Sequence, residues 1–379
     1  MNALQLFLKL VTIPSPTYQV GKIQSFLTDL FLATFPEAGI YNDSAGQDMI
    51  PGFEAGNLLI NIPASPGKQD YPILAIEAHV DTVPENNPTI PLVTAGIVYS
   101  DGTTILGADD KAAVAAIWEA MQIVNVSPHG PIQIIFSVGE ESSMYGMRAF
   151  DFSKIKADTI LCVDGFSPCE VITACAGKIK YRATFTGQSA HGAEPEKAIN
   201  AITMAAAAIA TCDMHHLTGR LNNGMINNIA EIQSHSGESQ YPHNNTIPGS
   251  CIVSGEIRGF SKEELKEAAD KIKDIFRRTA EGRQGEVDFE WLIPYQPFDL
   301  MTSQGVESKI FDRLRAKNPG TILTTTNSYG STHANIYNER GIESVVIGAG
   351  CRNPHTHKEL LIISELEEAV NIIANYLRI

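Results

Sequence analysis

"ILGADDKAAVAAIWEAMQIV", residues 105–124, is apolar on most sides once it has passed its opening acids. A helix hydrophobic nearly all round has to be buried on more than one face, and its neighbours in sequence supply the cover. "PILAIEAHVD" (72–81) before it and "PIQIIFSVGEE" (131–141) after it read as buried strands, as do "NLLINIP" (57–63) and "TILCVDG" (159–165). With a helix predicted over 110–124, strand–helix–strand alternation gives an α/β fold, a layered, mostly parallel sheet flanked by helices. Asp109 and Asp110 are then out of place, because an unpaired buried carboxylate costs several kcal/mol or stays protonated.

Beyond about residue 177 the texture changes. "KIKYRATFTG" alternates like a half-exposed strand, and a helix follows at "KAINAITMAAAAIATCD". Next come "MINNIAEIQS", "SCIVSGEIRGF", the helix "SKEELKEAADKIKDIFRRTAEG" and "EVDFEWLI". That order, βαββαβ, is ferredoxin-like. Past Pro294 the α/β texture resumes, with a helix over 305–317, strands "TILTTTNS" and "ESVVIGAG", and a last helix over 363–377. The predicted organisation is a first domain formed by 1–177 and 294–379, interrupted by an α+β domain over 178–293.

The polar residues collect at strand ends. "PILAIEAHVD" finishes in His79 and Asp81, "PIQIIFSVGEE" in Glu140 and Glu141, and "TILCVDG" in Asp164, while Asp109 and Asp110 open a helix. In open α/β sheets the carboxyl ends of the strands form the ligand crevice. Each feature alone is a common structural cap; together they place many carboxylates in one patch, where like charges raise one another's pKa. Cations would relieve that. Histidine and carboxylate ligands without cysteine suit zinc, cobalt or manganese, and two ions about 3.5–4 Å apart bridged by one carboxylate would neutralise the set.

"HVDT", "GADDKAAVAAI", "VGEESSMYGMRAF", "CVDG", "GQSAHGAEPEKAINAI" and "GAGCRNPHTHKEL" resemble, in order and spacing, the co-catalytic di-zinc exopeptidases, a family that includes peptidase T, glutamate carboxypeptidase, aminoacylase and succinyl-diaminopimelate desuccinylase. "DGTTILGADDKAA" and the C-terminal "HTHKE" are most similar to peptidase T-like enzymes. The resemblance implies that His79 and Asp164 hold one metal, that Glu141 and His355 hold the other, and that Asp109 bridges them. It also implies a cis peptide between Asp109 and Asp110. Glu140 becomes the general base that takes a proton from the water between the ions, and Asp81 orients the His79 ring. In the inserted domain, a lid and dimerisation domain in the family, His191 corresponds to a histidine that steadies the oxyanion in a partner's active site. Asn245 and Arg258 correspond to substrate contacts.

The chain departs from the family at "YGSTHANIY", where His333 stands in place of the usual aspartate and is read as lining the substrate pocket. The implied function is hydrolysis of short peptides by a tripeptide aminopeptidase. The alternatives are an aminoacylase or other amidohydrolase acting on N-acyl amino acids, and a non-catalytic metal-binding dimer. A serine hydrolase built on Ser142 and Ser143 is excluded because no GxSxG elbow surrounds them. The net charge of −15 argues against nucleic acid. No stretch has the roughly 20 apolar residues of a membrane span, and the N-terminus lacks the features of a signal peptide. Six cysteines without framework spacing suit a reducing cytoplasm, and the resemblance implies a homodimer formed through the inserted domain.

Overall fold

The helix that opened the sequence reading, Ala108–Asn125, is buried along almost its entire length. The computed structural model describes residues 1–44, 52–84, 88–234, 245–303 and 305–379. These form two compact units, Met1–Cys175 with Asp299–Ile379, and Ala176–Phe298.

In the first unit the longer strands of the central sheet begin with β1 (Gly39–Asn42), β2 (Leu58–Ile62), β3 (Leu74–His79), β4 (Ile132–Ser137), β5 (Thr159–Gly165) and β6 (Glu170–Cys175). The second unit contributes β7 (Gly177–Thr186), β8 (Ile226–Ser234), β9 (Ser250–Gly259) and β10 (Glu286–Tyr295). Back in the first unit come β11 (Thr324–Ser328) and β12 (Glu343–Gly348). The central sheet runs β1-β2-β4-β3-β5-β12-β6, with β11 also beside β6. Its middle is parallel: β3 lies between β4 and β5, and β5 pairs with β12. β1 and β2 make an antiparallel edge. Buried on both faces, β3 and β4 read as nearly unbroken apolar runs.

The longer helices are α1 (Ala3–Leu10), α2 (Gly21–Thr34), α3 (Ala108–Asn125), α4 (Ala201–Met214), α5 (Lys262–Glu281), α6 (Lys309–Lys317), α7 (His333–Glu339) and α8 (Ile363–Leu377). α1 starts in a capping box between Asn2 and Gln5, and Pro14 and Pro16 follow its end. α3 packs against α1 and α8, and Phe31 of α2 meets Trp118 and Phe136 edge-on at 5.1 and 5.5 Å. No helix among the described residues is long and apolar enough to cross a membrane. All six cysteines are free.

The second unit is an antiparallel sheet in the order β8-β9-β7-β10, with α4 and α5 in the βαββαβ chain order. Strict alternation of burial along β7 aims Ile179, Tyr181, Ala183 and Phe185 at a core shared with Met204 and Phe276.

Element boundaries differ from the sequence reading at several points. β10 continues through Pro294 to Tyr295, and the second unit ends at Phe298. α6 begins at Lys309 rather than 305: Gly305–Val306 pairs with Met301–Thr302, and the Ser308 hydroxyl caps the helix by accepting from Phe311 N–H at 3.1 Å. α4 begins at Ala201 because Asn200 caps it in the same way.

Candidate metal centre

Parallel pairing puts the carboxyl ends of β3, β4 and β5 side by side, with His79 opposite Ser137. The chain leaving β4 turns at Gly139 (φ +72°), where an added Cβ would lie 3.2 Å from the Phe53 ring, and this turn delivers Glu140 and Glu141. A second left-handed glycine, Gly107 (φ +75°), swings the chain into α3. The Asp109–Asp110 peptide is cis, and both residues have non-helical backbone angles, so regular helix starts one residue later than the sequence suggested.

Asp109 stands at the centre of the arrangement. Its Oδ1 lies 3.0 Å from His79 Nε2, which is 3.6 Å from Asp164 Oδ1. Its Oδ2 lies 3.3 Å from His355 Nε2, which is 2.9 Å from Glu141 Oε1. The two carboxylate oxygens therefore face two different His–acid pairs. Donor atoms of His79, Asp109 and Glu141 fall within 4.8 Å of one another, and so do those of His79, Asp110 and Asp164.

His79 Nδ1–H donates to the Asp81 carbonyl at 2.9 Å, while the Asp81 carboxylate is 3.7 Å away. Because a carbonyl can only accept, this bond fixes the proton on Nδ1 and leaves Nε2 facing the acids. The shorter of the two Asp81 contacts to His79 is thus made by the main chain. The Asp81 carboxylate is occupied elsewhere, accepting from the N–H of Glu140 (3.2 Å), the N–H of Glu141 (3.4 Å) and the Thr17 hydroxyl (2.9 Å). Asp81 therefore sets the backbone of the Glu140–Glu141 turn as well as the histidine.

The electrostatics are those of crowded acids. Burial pushes Asp164 and Glu141 up to about 6. It raises Glu140 well above the usual carboxylate range, helped by Asp164, and raises Asp110 likewise. Burial opposes ionisation of Asp109 too, but the bonds from His355 and His79 outweigh it and hold its carboxyl low. Asp109 and Glu141 in turn lift His355 to about 10. Burial works against the His79 cation, yet Asp109 and Asp164 raise it well above its ordinary value. The cluster thus draws positive charge toward itself, and divalent cations bound by nitrogen and oxygen donors would take the place of those protons. Asp110 Oδ2 is buried without a hydrogen-bond partner. On donor chemistry and spacing, the residues fit a metal centre.

His333 is 1% exposed, at the start of α7, and pairs with an acid of the central sheet. Its Nδ1 lies 2.9 Å from Glu77 Oε1 and 3.1 Å from the Ser137 hydroxyl. Burial alone would raise Glu77, but His333 and Ser137 hold its carboxyl below the usual range. Removing one partner of a buried pair costs about 3–5 kcal/mol. His333→Ala is therefore expected to lose about 3 kcal/mol of unfolding free energy in urea; an unchanged midpoint would show that the pair contributes nothing.

In the second unit, His191 and Asn245 are exposed neighbours. His191 pairs with Thr246 in a two-residue ladder, and the Asn245 carbonyl accepts from Gly192 N–H at 2.6 Å. Arg258 donates through Nε to Glu256 at 2.7 Å, and Glu256 also meets Lys178 at 2.9 Å. Its guanidinium is thus part of a structural ion-pair group. The sequence reading gave no role to Glu359, which is 1% exposed and accepts from the N–H groups of Gly107 and Asp109. Its sequence signal is its place at the end of "HTHKE", directly before the aliphatic strand Leu360–Ile362.

Residues 75–379 match the family described as peptidase family M20/M25/M40. Over 376 residues the chain is 31% identical to the uncharacterized protein YqjE of Bacillus subtilis (strain 168), covering 98% of this chain and 96% of the relative. It is similar to the crystal structure of aminopeptidase PepT from Bacillus cereus ATCC 10987, with a TM-score of 0.86 at 28% identity over 99% of this chain and 97% of that one. It is also similar to a tripeptidase from Staphylococcus aureus subsp. aureus Mu50, with a TM-score of 0.89 at 28% identity over 100% and 97%.

Proposed function

Given that the chain belongs to peptidase family M20/M25/M40, we propose that it is a two-metal aminopeptidase of the peptidase T type, acting on short peptides with a free amino terminus. The observation that carries this reading is the division of Asp109's two oxygens between His79 with Asp164 and His355 with Glu141. In this reading His79, Asp164 and Asp109 hold one ion and Asp109, Glu141 and His355 the other, both zinc, with cobalt or manganese as substitutes. When bound, the ions supply Lewis acidity and a nucleophile at neutral pH.

The remaining work falls to the chain. Glu140 accepts a proton at its carboxylate from the attacking water and passes it to the nitrogen of the departing amine. A base that then becomes an acid needs a pKa near the working pH, and burial beside other acids moves Glu140 upward in that direction. Asp81 keeps Glu140 in place through its backbone N–H. His79 presents Nε2 because its Nδ1 proton is held by the Asp81 carbonyl. His191 and Asn245 are proposed to act on the substrate carbonyl, the second unit to mediate dimerisation, and the cytoplasm to be the site of action; these follow from the family resemblance.

The substrate class is tested with free tripeptides, their N-acetylated counterparts, dipeptides and N-acyl amino acids, assayed with zinc, cobalt and manganese before and after chelation. Trimming of free tripeptides, lost on acetylation and on chelation and restored by metal, is the expected pattern. Preference for N-acyl amino acids would replace it with the amidohydrolase reading.

A further inference from the structure

We infer that Glu359 is a positioning residue that ties the turn carrying His355 to the bend carrying Asp109, and so assembles one half of the metal centre. The inference rests on the two-metal reading above. Glu359 is buried, and its two oxygens are both committed: Oε2 accepts from Gly107 N–H at 2.7 Å and Oε1 from Asp109 N–H at 2.9 Å. A third contact comes from the Cys351 thiol, 3.6 Å from Oε1. One carboxylate thus grips the left-handed glycine that turns the chain and the residue whose side chain stands between the histidines.

The other end of the tether is the turn at 353–359. Glu359 N–H donates to the Thr356 carbonyl at 3.0 Å, and the Thr356 hydroxyl donates to the Asn353 carbonyl at 2.9 Å. Asn353 (φ +53°) and His355 (φ +63°) both adopt left-handed backbone. That conformation is uncommon for side-chain-bearing residues and persists where the surroundings over-determine it. The His355 side chain is about half exposed, so packing does little to hold it. Glu359, four residues on, anchors the turn to the Asp109 backbone.

His79 and Asp164 need no such anchor. They sit on β3 and β5, which are locked by parallel pairing within the central sheet. Loss of Glu359 should therefore loosen the His355–Glu141 side more than the His79–Asp164 side, where only the shared Asp109 loses its anchor. In Glu359→Gln the side-chain shape is kept but only one oxygen accepts, and the amide –NH2 is turned toward a backbone N–H. Glu359→Asp keeps the charge but is one methylene too short to reach both N–H groups.

The test is calorimetric titration of metal-stripped wild type, Glu359→Gln and Glu359→Asp with cobalt(II) alone, alongside thermal melts. Wild type should take up two ions. Each folded variant should bind one ion nearly as tightly as wild type and the second at least tenfold more weakly. Two ions bound by a folded variant with wild-type affinities would overturn the inference, and so would equal weakening of both. A wild type that does not bind two ions would instead remove the two-metal reading itself. If the Gln variant fails to fold, the Asp variant decides.

Discussion

Glu140→Gln is expected to lower kcat for peptide hydrolysis by roughly a hundred- to ten-thousand-fold, the range spanned by a positioned general acid–base group. KM and the number of bound metal ions should stay at wild-type values. The reason is geometric. Glu140 makes none of the side-chain contacts that surround Asp109, whereas its backbone N–H is held by Asp81 at 3.2 Å. The amide replacement leaves that backbone bond in place and removes only the group that can accept a proton. Steady-state kinetics with a free tripeptide, together with metal analysis of the purified variant, separate the two effects. Undiminished turnover would take Glu140 out of the mechanism.

Asp109→Asn should have the largest effect on the metal centre. Among the described residues, Asp109 is the carboxylate shared by the two histidines, at 3.0 and 3.3 Å. Asparagine keeps one accepting oxygen and turns an –NH2 toward the other imidazole. Changing the partners that merely support a metal ligand typically costs ten- to a hundredfold in affinity, and loss of a shared ligand should exceed that. At least one ion should bind more than about a hundredfold more weakly, with hydrolysis lost in parallel. Titration of the metal-stripped variant with zinc checks this, and two ions bound at wild-type affinity would mean that Asp109 is not shared between them.

The sequence is a good guide to the site wherever its polar residues sit at the ends of buried strands. His79, Glu140, Glu141 and Asp164 are legible because apolar runs mark β3, β4 and β5, and parallel pairing then sets their carboxyl ends together. What the sequence hides is pairing over long separations. Glu77 is an acid inside an apolar strand, and its partner His333 lies 256 residues away. Without knowledge of that contact, a histidine in a loop between small polar residues reads as a pocket residue. Glu359 is likewise separated from the Asp109 N–H by 250 residues.

Arg258 is a different case, because the information was local. Glu256 precedes it by two positions on one strand, so the two side chains share a face of the sheet. Their ion pair could have been anticipated from "GEIRGF" alone. Asp81 shows a finer level of detail. The sequence names the residue that orients His79, but only the turn after β3 decides whether its carbonyl or its carboxylate makes the contact.

An anomalous difference map from crystals of this protein soaked in zinc puts the shared-carboxylate arrangement to its most direct test. Two peaks are expected, one between Asp109, His79 and Asp164 and the other between Asp109, Glu141 and His355. A single peak, or none within reach of Asp109, would contradict it.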